Sequence, residues 1–96
     1  MAKGYLVANV TVTDAERFAE YRAQVSPLVE RYGGRYLIRG GTVQRLEGEV
    51  ALDRVVVIEF ESIEAARRFY DSAEYRPVLA LRTEAARSQV ALVEGI

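Results

Sequence analysis

Twice in this chain a strand-like alternation gives way to helical spacing within a few residues, with no linker between them. Residues 5–12 (YLVANVTV) put Leu6, Ala8, Val10 and Val12 on one face and Tyr5, Val7, Asn9 and Thr11 on the other, which is the two-residue period of a strand. Thr13-Asp14-Ala15-Glu16 follows at once. Its spacing predicts a capping box, the Thr13 hydroxyl accepting from a first-turn amide while Glu16 reaches back. The change recurs after residues 54–60 (RVVVIEF), a β-branched run, where Ser62 is placed to cap a second helix.

The remaining segments complete a pattern. Phe18, Tyr21, Val25, Leu28, Val29 and Tyr32 fall at helical spacing. Pro27 interrupts that stripe, so the helix either kinks or restarts with Ser26 as a cap and Pro27 in its first turn. Gly33-Gly34 is the expected stop. Residues 35–46 predict a second strand, broken or bulged at Gly40-Gly41, before a turn at Glu47-Gly48-Glu49. After the stripe of Ala65, Ala66, Phe69 and Tyr70, Ser72 begins a break. Pro77 suits the first turn of a further helical piece to about Ala86, and residues 89–94 form the last strand.

The order strand, helix, two strands, helix, strand predicts an α+β, ferredoxin-like fold: βαββαβ, a four-stranded antiparallel sheet with its helices on one face. The 96 residues suit one domain spanning 1–96. A domain of this size has a thin core, which an added interface would support.

Composition narrows the chemistry. The chain has no Cys and no His, which excludes disulfides, thiolate nucleophiles, imidazole bases and the usual zinc or haem ligands. No Asp/Glu spacing makes a metal cage, so no metal or cofactor is expected. A net charge of −1 without a basic block argues against a nucleic-acid partner. The apolar runs are too short to cross a membrane, and the N-terminus runs straight into a strand, so a cytoplasmic protein is expected.

Three features stand out. The sheet face opposite the helices carries Tyr5, Val7, Val55 and Val57, too apolar for water, and this predicts a homodimer through that face. Burying it also buries Asn9, Thr11 and Glu59. If Arg39 shares the face, it lies beside Glu59, as a structural ion pair or the polar end of a pocket. Arg82 falls on a helical stripe with Val78, Leu79, Ala85 and Ala86. It is expected to be buried against a carboxylate such as Glu59 or Glu94, the alternative being a snorkelling side chain.

Tyr21, Gly33-Gly34-Arg35-Tyr36, Arg39-Gly40-Gly41, Glu47-Gly48, residues 54–60, Ala66 to Tyr70, Ser72-x-Glu74-Tyr75, Arg82 and Val93-Glu94-Gly95 resemble the bacterial family called domain of unknown function 1330. Phe18 stands where the family would carry a tyrosine. The resemblance implies membership of the dimeric α+β barrel superfamily, whose members include cofactor-independent monooxygenases, small isomerases and haem proteins. It implies no activity for this chain. The expectation carried forward is a dimeric barrel that binds a small anionic or carbonyl compound, with cofactor-independent enzymes as the nearest analogy. Arg39, Arg82, Tyr21 and Asn9 are the binding candidates and Glu59 the candidate base, with Arg39, Glu59 and Arg82 edging one pocket. The competing expectation is a non-catalytic module whose buried charges only fix dimer register.

Overall fold

The computed structural model describes residues 2–96. β1 (Gly4–Val12) leads to α1 (Ala15–Arg31), β2 (Arg35–Arg39), β3 (Arg54–Phe60), α2 (Ile63–Tyr70), α3 (Tyr75–Ala85) and β4 (Ala86–Glu94). The strands form one antiparallel sheet in the order β2-β3-β1-β4, and the fold is ferredoxin-like α+β.

Alternation decides which side the helices cover. Leu6, Ala8 and Val10 of β1 and Ile58 and Phe60 of β3 are buried. They meet Phe18, Val25, Leu28 and Val29 of α1, Ala65, Ala66 and Phe69 of α2, and Tyr75, Val78 and Ala85 of α3. Phe69 anchors an aromatic chain, its ring centroid 5.5 Å from Phe60 and 4.7 Å from Tyr75. Val12 continues the alternation but lies at the end of the strand and is 37% exposed.

Several local expectations are corrected. Asp14, not Thr13, caps α1, its carboxylate accepting from the Arg17 amide at 3.2 Å. Thr13 is used elsewhere. α3 passes into β4 without a loop, so its terminal carbonyls need outside donors. The Thr13 hydroxyl and the amides of Thr13 and Asp14 all donate to Ala85 O, at 3.0, 2.7 and 3.0 Å. α1 continues through Pro27, and Ser26 Oγ donates back to Arg22 O at 3.1 Å. β4 begins at Ala86 rather than 89, paired with Val12.

β2 departs most. It is five residues long, ending at Arg39, because Gly40 turns the chain with φ +72°. Its bulge lies not at the glycines but at Leu37: Tyr36 pairs with Ile58, and Ile38 with the very next partner, Val57. The extra residue reverses the parity of everything after it. Arg35 and Ile38 share the open face with Glu59 and Val57, while Tyr36 and Arg39 share the helix face with Ile58 and Val56.

Candidate functional site

A cleft opens between α1 and the sheet. Leu6, Ala8, Val10, Val56 and Ile58 make its floor. Phe18, Tyr21, Arg22 and Val25 reach in from α1, Tyr36 and Arg39 from β2, and Arg54 from the start of β3. Phe69, Tyr75 and Arg82 close it from α2 and α3. The open space between these side chains is about 40 Å³, room for one or two water molecules.

The lining holds four arginines and no carboxylate. Among the described residues, no acidic group lies within 4 Å of Arg22, Arg39, Arg54 or Arg82, although seven ion pairs form elsewhere on the molecule. Arg82 is only 7% exposed, and its Nε–H is buried without an acceptor. The Nε–H of Arg54 is likewise buried and unpaired. Desolvation, then repulsion from Arg22 and Arg39, pulls the Arg54 guanidinium below its ordinary value. The Arg54 guanidinium carbon lies 5.4 Å from the Phe18 ring centroid, and that of Arg39 4.4 Å from the Tyr36 ring centroid. Arg39 Nη2 also donates to Ser26 Oγ at 2.5 Å. Gly40 is required here for two reasons. Its φ is positive, and a β-carbon at that position would run into the Arg54 guanidinium.

The tyrosines are the other polar groups. The hydroxyls of Tyr21 and Tyr75 lie 2.9 Å apart. Burial pushes both above the usual phenol value, Tyr21 well above it, and the nearby positive charge of Arg82 opposes this without cancelling it. Tyr36 is raised by burial too, against the pull of Arg39 and Arg54. These phenols therefore keep their protons and act as hydrogen-bond donors. Protonated phenols, planar guanidinium forks and an apolar floor together suit an organic anion with a flat body.

The structure brings Tyr21, Arg39 and Arg82 together in this cleft, but not Glu59 or Asn9. Glu59 projects from the open face, where it accepts from Arg35 Nη2 and from the Tyr5 hydroxyl, both at 3.1 Å. The hydrogen bond to this carboxylate raises the Tyr5 phenol. The expected neighbour of Glu59 was Arg39; Arg35 pairs with it instead, and the bulge at Leu37 turns Arg39 to the helix face opposite Val56. Asn9 is also on the open face. Its Nδ2 donates to Ala51 O at 2.9 Å and its Oδ1 accepts from the Asp53 amide at 3.0 Å, so it pins the segment before β3. The single pocket expected of Arg39, Glu59 and Arg82 is thus two sites on opposite faces. Arg82 is buried as expected, yet without the expected carboxylate. Arg22, Arg54, Tyr36 and Tyr75 were missed. Arg54 was legible, because it shares the parity of Val56, Ile58 and Phe60.

Fold and cleft together define a small ferredoxin-like α+β domain with an arginine-rich recess beneath its first helix. The chain belongs to the family described as Domain of unknown function (DUF1330), whose model matches residues 3–96. Several solved structures are similar to it, among them the following three. A protein of unknown function from Rhodopseudomonas palustris has 22% identity and a TM-score of 0.79, with 99% of this chain and 83% of that chain covered. SnoaB from Streptomyces nogalater, described as a cofactor-independent oxygenase, has 18% identity and a TM-score of 0.67 over 97% and 92%. A conserved protein from Bacteroides thetaiotaomicron, described as a possible oxidoreductase, has 14% identity and a TM-score of 0.57 over 97% of each chain. At these identities the likeness establishes the fold alone. No curated protein matches significantly.

Among the described residues, no helix is long and apolar enough to cross a membrane, and no three His, Cys, Asp or Glu side chains converge as a metal site.

Proposed function

We propose that this protein binds a small planar organic anion, a carboxylate or enolate on an apolar body, in the cleft under α1. One observation carries the reading: Arg82, 7% exposed, has no carboxylate beside it and a buried Nε–H without an acceptor. A buried cation of this kind is costly unless something else meets it. A ligand carboxylate would do so, with the mutually bonded Tyr21 and Tyr75 hydroxyls offering one further donor. Arginine-held oxyanions also stabilise enolates, so the same cleft suits cofactor-independent chemistry, in which a substrate's own carbanion reacts. The lining offers no carboxylate, lysine or imidazole as a base.

The open face is assigned to a second copy of the chain. Ile38, Leu52 and Val93 are nearly half exposed, and Val7 and Val55 line the same apolar surface. On this reading Glu59, with Tyr5 and Arg35, fixes the register of two sheets and takes no proton from a cleft ligand.

Benzoate and its neutral isostere benzamide test the cleft. Benzoate in millimolar excess is expected to raise the melting temperature by about 2 °C or more, since a ligand that binds only the folded state stabilises it by mass action. Benzamide is expected to do nothing, and Arg82→Gln to abolish the benzoate effect. Equal shifts with the two compounds, or a benzoate shift that survives Arg82→Gln, would sink the reading. No shift at all with carboxylates would leave the register-fixing module as the better account.

A further inference from the structure

The four cleft arginines fall into two groups. Arg82, on α3, acts on the hydroxyls of Tyr21 and Tyr75. Arg54, at the start of β3, lies against Phe18 and is repelled by Arg22 and Arg39, and it shares Tyr36 with Arg39. Each group owns one buried Nε–H without an acceptor, that of Arg82 and that of Arg54. Both border one cleft with an apolar floor.

We infer that the cleft takes an organic dianion, one acidic group meeting Arg82, Tyr21 and Tyr75 and the other meeting Arg22, Arg39 and Arg54, with a flat apolar body between them. The inference rests on the anion-binding reading above and names its ligand class. A single carboxylate offers two oxygens and engages one guanidinium fork at a time. It would answer one orphan Nε–H and leave the other, with three cations uncompensated. The protein itself supplies no second anion: Glu30 borders the recess outside Arg22 and Arg39 but lies beyond 4 Å of both. A compact dianion such as inorganic phosphate has no body to lie on the floor and cannot span two groups. Entry needs movement, because about 40 Å³ does not hold a ring. Arg22 and Arg39 are exposed while Arg82 is buried, so the outer group swings aside and closes on the second acid.

Calorimetric titration of the full chain with terephthalate and benzoate separates the possibilities. Terephthalate is expected to bind at least about tenfold tighter than benzoate, roughly the worth of one charge-assisted contact. Arg54→Gln is expected to bring terephthalate to within about threefold of benzoate, both measured on that variant; Arg82→Gln is expected to weaken both about tenfold or more. Fumarate against crotonate repeats the comparison with a shorter body, and a dianion preference in either pair supports the inference. Equal affinity within both pairs, or phosphate binding as tightly as the better dicarboxylate, overturns it while benzoate binding still upholds the anion site. If no carboxylate binds, the anion site itself fails. Should Arg82→Gln lose its folded circular-dichroism signal, Arg54→Gln, at the half-buried start of β3, carries the test.

Discussion

Arg82 sits where helical spacing puts an apolar residue, and nothing acidic meets it there. A buried cation without a partner weakens a fold, whereas a well-packed apolar side chain of similar length is often neutral or stabilising in its place. Arg82→Met is therefore expected to raise stability by about 1–2 kcal/mol, or several degrees in melting temperature for a chain of this length, and to lose carboxylate binding. Chemical denaturation in anion-free buffer checks this, and a clear loss of stability would show that Arg82 serves the fold. Such a trade of stability for function is common at binding sites. The inward position of Arg82 was legible, because it follows from 100° per residue. Its lack of a partner was not, because which carboxylates lie near depends on the packing of α3 against α1 and the sheet. Tyr75 was hidden for a similar reason: it became a site residue only when its hydroxyl was placed 2.9 Å from that of Tyr21.

At the level of elements, β2 is decisive. Its bulge has no glycine to announce it, since no residue other than glycine takes a positive φ among the described residues. Leu37 is an ordinary strand residue, so a plain count along residues 35–39 gives the wrong face for Arg39. The visible glycines were read as the bulge, but Gly40 ends the strand and clears space for Arg54. Gly40→Ala is expected to cost about 1–2 kcal/mol from the left-handed backbone alone. It should also displace the Arg54 guanidinium, so that terephthalate binding falls by a larger factor than benzoate binding. A variant as stable as the parent, with unchanged terephthalate affinity, would contradict the role given to this glycine. By contrast, β1, β3 and the stripe of α1 were legible almost residue by residue, because each buries one face against the same core.

The molecule as a whole is a slab, 33 × 31 × 16 Å in its Cα extents. A helix with its side chains is about 10–12 Å across, so the thin dimension holds one sheet and one helix layer, and the second sheet face lies bare. Val57→Arg on that face should shift a dimer to monomer, because it would bury an unpaired charge at a cost of several kcal/mol. Light scattering is expected to give twice the chain mass for the parent protein and a single chain mass for the variant. A parent protein that runs as one chain at micromolar concentration would refute the assignment of the open face. The element order and sheet were legible from periodicity and turn signals. The division of labour between the faces was not, since it hangs on one extra residue in one short strand.

That extra residue has a consequence for how such a protein can change over generations. Loss of the single codon for Leu37 would remove the bulge yet leave Arg39 in the recess, because Tyr36, Ile38 and Arg39 would keep their partners Ile58, Val57 and Val56 in an unbroken ladder. The reverse holds if the length is kept and Leu37 enters the ladder: Arg39 would then lie opposite Val55, and its guanidinium would leave the recess for the open face. Among relatives, a strand one residue shorter would present the same guanidinium to the same recess, while two members of equal length with the same charged residues could present them to different molecules.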